Sequence, residues 1–361
     1  MSDPTRRGAY SEAGVDIDAQ DEALAEVKDL ARGTFTPGVL TEIGGFGGLF
    51  RPDLRGMDEP VLVASADGVG TKLMVARKAR RYDTVGEDLV NHCVNDILVQ
   101  GARPLFFMDY VGAGVLEPDA VVELVRGVAR GCRGNGCALL GGETAEMPGF
   151  YQPEDYELVG FIVGMVDRPR LLDGSRVVPG DLLLGLPSSG LHTNGYSLAR
   201  RILFEHSGLG VDDLLPAPDG GDPGPEITVG EELLKVHRSY LDAVGPLLDE
   251  PALHGLAHIT GGGLTDNLPR TLAEGTAAEI DPTTWTVPPV FRLLQQRGAV
   301  DPEEMFRVFN LGIGMVLVVE ADGGLEILER LERQGHGPRI IGRVIEGRRQ
   351  VVYQPGCEAA F

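Results

Sequence analysis

Apolar positions along this chain fall into short β-like runs and helical stripes, and several of the runs end abruptly in glycines and acids. Leu24, Val27 and Leu30 lie at helical spacing and predict a helix over Asp21–Leu30. Gly44-Gly45-Phe46-Gly47-Gly48 predicts an irregular loop. Val61-Leu62-Val63-Ala64 then predicts a buried strand that carries the chain into Asp67. Leu89, Cys93, Ile97 and Gln100 mark one stripe of a helix over Asp83–Gln100, ended by Gly101 and Pro104. Leu105–Met108 predicts a strand. Pro118 opens a second helix with Val121, Val122, Leu124, Val125 and Val128, and Gly134 closes it. Cys137–Leu140 and Leu158–Val166 predict two more strands.

Arg168-Pro169-Arg170 breaks this pattern and predicts a boundary, with an N-terminal domain over residues 1–170 and a C-terminal domain over 171–361. The second half predicts strands near 182–186, 314–320 and 339–345 and helices near 195–206, 231–249 and 323–334. A Pro/Gly-rich acidic stretch, Pro216–Pro225, predicts a loop. Strands and helices mix throughout, so the predicted class is α/β.

Length agrees with two domains, because 361 residues exceed what one core usually covers. Lys plus Arg number 32 and Asp plus Glu 54, a net charge of −22. That field repels a polyanion, and no basic patch interleaved with aromatics offsets it, so nucleic acid is excluded as a partner. A small anionic substrate remains compatible, since one pocket can be locally positive. Cys93, Cys132, Cys137 and Cys357 have no CxxC spacing, which predicts a reducing compartment. Arg6-Arg7 is followed by no apolar run, and no stretch is long enough to span a bilayer; the expectation is a cytoplasmic protein without membrane contact.

Candidate chemistry collects where predicted strands end. Asp67-Gly68-Val69-Gly70-Thr71-Lys72 offers an acid, glycines that let backbone N–H groups approach a phosphate, and a lysine to balance its charge. The Walker order GxxxxGK[ST] is absent. A tight Asp-Gly turn beside a surface lysine accounts for the segment equally well. Asn95-Asp96 lies near the buried side of a helix, where a carboxylate needs a metal, a cation or hydrogen bonds. Gly141-Gly142-Glu143 repeats the pattern of a strand ending in glycines and an acid. Converging Asp67, Asp96 and Glu143 would repel one another unless cations sat among them, which makes them candidate magnesium ligands. Ser188-Ser189-Gly190-Leu191-His192-Thr193-Asn194-Gly195 is dense in donors and acceptors, suits a phosphate and contains an imidazole that titrates near neutrality; an N-capping loop is the plainer reading. His258-Ile259-Thr260-Gly261-Gly262-Gly263, followed by Asn267 and Arg270, reads as a binding loop. His206, His237, His254 and His336 show no metal spacing and read as surface or core residues.

Together these strings resemble the phosphoribosylformylglycinamidine cyclo-ligase (aminoimidazole ribonucleotide synthetase) family. The matching segments are residues 13–17, 44–48, 67–72, 94–96, 141–149, 192–197, 258–270 and 309–315, in family order over nearly the whole chain. The wider superfamily, which includes selenophosphate synthetase and thiamine-monophosphate kinase, shares the Asp-x4-Gly-Ala-x-Pro pattern, here Asp96 to Pro104. Selenophosphate synthetase would want a cysteine in the glycine loop, where this chain has Phe46. The resemblance implies a homodimer of two-domain subunits whose N-terminal sheets join into a barrel-like core, each with a C-terminal α+β sandwich. It implies ATP and magnesium, with potassium as a further cation, and ring closure of formylglycinamidine ribonucleotide. Under it, Asp67, Lys72, Asp96 and His192 are the expected catalytic residues. Lys28, Gly44, Gly45, Gly47, Gly48, Gly68, Gly70, Thr71, Asn95, Gly141, Gly142 and Glu143 are expected at the nucleotide. Ser189, His192, Asn194, His258 and Thr260 are expected at the substrate. A small-molecule kinase and a non-catalytic nucleotide-binding subunit are the competing readings, separable by the product formed from ATP.

Overall fold

The structure, a computed structural model, describes residues 17–220 and 226–355. Tyr10, residues 13–16 of the resembling arm, the end of the 216–225 loop and the tail from residue 356 lie outside it.

Four strands, β1 (Pro60–Gly68), β2 (Arg103–Ala113), β3 (Ala138–Glu146) and β4 (Tyr156–Asp167), form a first sheet in the order β1-β4-β2-β3. Only the β2–β3 pair is parallel. Helices α1 (Ile17–Arg32), α3 (Asp83–Leu98) and α4 (Pro118–Gly134) belong to the same half, and α3 and α4 pack on each other and against the sheet. A short helix the periodicity did not suggest, α2 (Lys72–Ala79), follows β1 directly. The contact between α3 and α4 is close because glycines meet backbone. A Cβ on Gly86 would collide with the Leu124 carbonyl, and one on Gly127 with the Asp83 carbonyl.

The expected fully buried strand at Val61–Ala64 is buried on one side only. Val63 faces the helices, whereas Leu62 is 65% exposed. Cross-strand register puts Met108 and Phe161, 37% and 39% exposed, opposite each other on the same open face. An alternating strand with one uncovered face explains why an apolar run here does not mean full burial.

The second sheet has the order β10-β7-β9-β5-β8-β6, antiparallel except for β10–β7. Its strands are β5 (Leu182–Pro187), β6 (Leu253–His258), β7 (Thr276–Ile280), β8 (Ile313–Val319), β9 (Arg339–Glu346) and β10 (Val351–Tyr353). The first sheet ends at Asp167 and the second begins at Leu182. The largest apolar cluster runs through both halves, joining Leu89, Phe107 and Ile162 to Leu191, Phe291 and Phe309. The second sheet packs in two further clusters, one on each face, and Leu98 of α3 joins the one that contains Leu184, Leu256 and Leu317.

One expected helix fails. Residues 231–249 form separate turns, Val229–Leu233, Leu241–Val244 and Gly245–Leu247, with an extended segment between the first two. The polar face of α3 supplies the reason. Asp88 accepts from the His237 N–H (2.6 Å), Asn91 donates to the His237 carbonyl (2.7 Å), and Asn95 bonds both the Arg238 carbonyl and the Tyr240 N–H (2.9 Å each). Side chains of one helix thus take the peptide groups that a second helix would have paired internally.

Candidate active site

β1 and α3 bring the first acids together. Asp67, near the C-terminal end of β1, faces the helix layer, since it shares its row with Gly160, Asp109 and Gly142. Its Oδ1 accepts from the Gly68 N–H (2.6 Å), and its Oδ2 lies 2.7 Å from Nε2 of His92. His92 and Asp96 stand one helical turn apart on α3, on one face of the helix. Asp96 accepts from the Ser65 hydroxyl (3.1 Å) and contacts Nδ1 of His258, at the end of β6, at 2.9 Å. Two of the three expected acids thus join a cluster in which each meets an imidazole, drawn from β1, α3 and β6.

Behind it lies a second layer that the sequence did not reveal. His92 Nδ1 meets the Thr193 hydroxyl (2.7 Å), which meets Nδ1 of His237 (3.2 Å), whose Nε2 meets Nε2 of His258 (3.0 Å). His192 stacks on His237 with centroids 4.0 Å apart. His237, expected at the surface or in the core, is the hub of this chain, and His92 carried no expectation at all. Its only signal was its position four residues before Asp96.

Burial lowers the proton affinity of His237 and His192 well below the ordinary imidazole value, helped by the neighbouring imidazoles. Burial also lowers that of His258, with Asp96 opposing. At His92 burial pulls the same way, but Asp67 and Asp96 outweigh it and the net shift is upward. Burial raises Asp67 and Asp96, yet His92 and His258 respectively overcome it, so both acids lie below their ordinary values. The raised His92 contributes stability that is fully present below pH 6.5 and is lost as pH rises through its folded value. The lowered Asp67 contributes stability present above pH 3.8 and lost as pH falls through its folded value. His92→Gln should therefore flatten the loss of stability above pH 6.5 in metal-free protein; urea unfolding on either side of that pH checks it.

Lys72 departs from its expected role. Its side chain is fully buried, with Nζ 2.6 Å from Asp88, donating to the carbonyls of His192 (3.0 Å) and Lys235 (2.8 Å). It is enclosed and satisfied here, not presented to a phosphate. His192 is also buried. Its backbone takes a positive φ of 62°, and its Nε2 accepts from the Ser189 N–H (3.2 Å). In this arrangement its ring holds the Ser189 end of its own loop. Asn95, expected at the nucleotide, is the buried clamp on the 238–240 segment described above.

Glu143 does not join the acids. It lies in the row Gly68–Val159–Tyr110–Glu143, on the open face of the sheet and three strands from β1, roughly 14 Å across. The glycine-rich loop sits at that same far edge. Gly48 packs on Leu140 of β3, and the Lys28 ammonium stands against Gly44. Gly45 and Gly47 are exposed in this loop. Gly142 is glycine because a Cβ there would meet the Asp109 carboxylate, and burial pushes Asp109 up to about 7. The expected residues therefore form two groups. Asp67, Gly68, Gly70, Thr71, Asp96, His258 and Thr260 lie toward β1, and Lys28, the 44–48 loop and residues 141–143 lie toward β3.

A cavity of about 590 Å³ opens between the halves beside the first group, lined by Ser65, Asp96, Gln100, His258, Thr260 and Arg270. Its C-terminal wall includes Thr260, Asn267 and Arg270, which flank the triple-glycine turn. Asn267 Nδ2 donates to the carbonyls of Thr260, Gly261 and Gly263, and a Cβ on Gly263 would collide with the Phe306 carbonyl. Thr71 meets Ser197 by a hydroxyl contact (3.2 Å), the Ser189 hydroxyl donates to the Val236 carbonyl, and Asn194 lies against Gly261. The 189–197 segment is thereby tied to both halves.

Two family models divide the chain along these lines. Residues 53–166 match the N-terminal domain of AIR synthase related proteins and residues 178–354 the C-terminal domain. Phosphoribosylformylglycinamidine cyclo-ligase of Trichlorobacter lovleyi is 51% identical over 344 residues, covering 95% of this chain and 96% of its own. The chain belongs to the phosphoribosylformylglycinamidine cyclo-ligase family. The cyclo-ligases of Alkaliphilus metalliredigens, 46% identical over 95% of this chain and 97% of their own, and of Bacillus thuringiensis, 48% identical over 94% and 96%, agree. Thiamine-monophosphate kinase from Stenotrophomonas maltophilia shares the fold, with a TM-score of 0.65 at 19% identity over 91% of this chain and 96% of its own. So does the hydrogenase maturation protein HypE in complex with ATP, at 0.61 and 20% over 90% and 88%.

Proposed function

We propose that this chain catalyses the ATP-dependent closure of formylglycinamidine ribonucleotide to aminoimidazole ribonucleotide, with release of ADP and phosphate, in purine biosynthesis. The observation that carries the reading is the cluster of Asp67, Asp96 and His258 beside a cavity between the halves, in a chain of this family.

An amide oxygen is a poor leaving group. Transfer of the γ-phosphoryl group to it gives an imidate phosphate. The internal amidine nitrogen then attacks the same carbon, phosphate departs, and the nitrogen loses a proton. Attack within one molecule gains from fixed proximity. The residues' task is to position groups and oppose charge. Asp67 and Asp96 fit a divalent cation at the phosphates, because both are held below their ordinary values, Asp96 lines the cavity and Asp67 is 40% exposed beside it. Magnesium is the ion the resemblance implies; when bound, it supplies charge neutralisation at the transferred phosphoryl oxygens. Arg270 lines the cavity, is exposed, and forms no ion pair among the described residues, so it is placed to receive an anionic group of the substrate. Thr260 lines the same space, and the 189–194 loop, anchored by His192, packs behind it through Asn194 against Gly261.

The working unit is a homodimer. The uncovered face of the first sheet, with Leu62, Met108 and Phe161, supports burial against a second copy in a barrel-like core. Glu143 on that face is then oriented to the partner rather than to its own Asp67. Phe161→Glu should yield a monomer by light scattering and abolish activity. The domain boundary at residues 170 and 171 lies in the connection between the sheets. No helix among the described residues is long and apolar enough to cross a membrane, and a cytoplasmic setting suits the three buried free cysteines.

The test is a product assay with ATP and formylglycinamidine ribonucleotide. Stoichiometric aminoimidazole and phosphate are expected. A phosphorylated but uncyclised product would replace this reading with that of a kinase.

A further inference from the structure

The implied magnesium set was three carboxylates. The structure breaks it up, with Glu143 on the opposite face and far edge of the sheet, and puts two imidazoles beside Asp96 instead. We propose that the cation site of this chain is a mixed nitrogen and oxygen site, formed by His92, Asp96 and His258 with Asp67 beside them, and that it takes a first-row transition-metal dication in preference to magnesium. The proposal rests on placing a divalent cation at Asp96, but not on the ring-closing reaction.

Geometry carries it first. Ligand atoms of His92, Asp96 and His258 all lie within 4.8 Å of one another. His92 Nε2 is 3.8 Å from Asp96 Oδ2, His258 Nδ1 is 2.9 Å from Asp96 Oδ1, and Asp67 Oδ2 is 2.7 Å from His92 Nε2. Atoms that share an ion at about 2.1 Å stand roughly 3 Å apart, so small side-chain shifts convert these contacts into ligation. The three come from two elements that share a core, since α3 carries two and β6 the third.

The outer contacts carry it further. A metal-bound histidine is usually oriented by a partner on its other ring nitrogen. Both histidines have one. His92 Nδ1 is held by Thr193, and His258 Nε2 by His237. His237 is in turn fixed by Thr193, by Asn95 (3.3 Å), and by stacking on His192. Buried polar groups cost stability unless satisfied, so an ordered set of four imidazoles around two acids is a costly way to build a site that oxygen ligands alone would serve. Magnesium prefers oxygen and sheds water reluctantly, whereas imidazole with carboxylate suits manganese, iron, cobalt and zinc.

Manganese(II) is the probe, added to nucleotide-free, tag-free, full-length protein. One ion per chain is expected, and pulsed EPR should show ¹⁴N couplings from imidazole. Magnesium in about a hundredfold excess should fail to displace it. His92→Gln should weaken binding roughly 10- to 100-fold and remove one nitrogen coupling, while circular dichroism stays unchanged. Bound manganese without nitrogen coupling in the unaltered protein would overturn the proposal, whatever the variant does. So would displacement by equimolar magnesium. Either result leaves the product assay untouched, because loss of ring closure with intact nitrogen-ligated manganese would instead count against the ligase reading.

Discussion

Replacing Asp67 by Asn is expected to reduce turnover roughly a thousandfold while leaving the fold intact. The side chain is 40% exposed, so its loss of charge is cushioned by solvent, and the change in stability should stay below about 1 kcal/mol. The amide keeps an oxygen for the Gly68 N–H and the volume of the acid. What disappears is the negative charge that raises His92 and that opposes a bound cation. Phosphate release under saturating ATP measures the first effect and urea unfolding the second. Near-normal turnover would remove Asp67 from the cation site and leave Asp96 as its sole carboxylate.

The reverse pattern is expected at Lys72. Lys72→Met should cost about 3–5 kcal/mol, because Asp88 is left as a buried charge with no cation and two carbonyls lose a donor. Burial already pushes Asp88 up to about 6 against the pull of Lys72, so desolvation is severe at this point. Adding Asp88→Asn to the variant should recover much of the loss, since an amide oxygen still accepts the His237 N–H without carrying charge. Denaturant midpoints of the single and double variants check this. If Lys72→Met were as stable as the unaltered chain and had lost only ATP affinity, the lysine would face phosphate and not Asp88. The contrast with Asp67 follows from position. Asp67 sits at a strand end beside the groove, whereas Lys72 is the first residue of a helix that turns it inward.

Much of this site was legible before any coordinates. Glycines after strands, an acid at each strand end and a triple-glycine turn are local signals, because each reports what one stretch of backbone must do. Gly263 shows the link directly, since its left-handed φ of 57° and the Phe306 carbonyl beside it exclude a side chain. The elements around the acids were equally readable. α3 and α4 carry strong periodic patterns, and the expected helix over Asp83–Gln100 corresponds to Asp83–Leu98 in the structure.

By itself, then, the sequence determined the family, the mixed class, the main strands and helices of the first half, and the segments that border the groove. Only the tertiary structure decided which of these residues meet. It separated Glu143 from Asp67 through sheet order, turned Lys72 into the core, and opened Leu62 to one side. It also drew His92, His237 and His258 together from positions far apart in the chain. The physical reason is that periodicity and turn chemistry are short-range properties, whereas strand order, helix docking and the pairing of buried polar groups are settled by contacts between distant segments. The helix lost at residues 231–249 joins the two levels, since its pattern is helical but Asp88, Asn91 and Asn95 of α3 take its peptide groups for themselves.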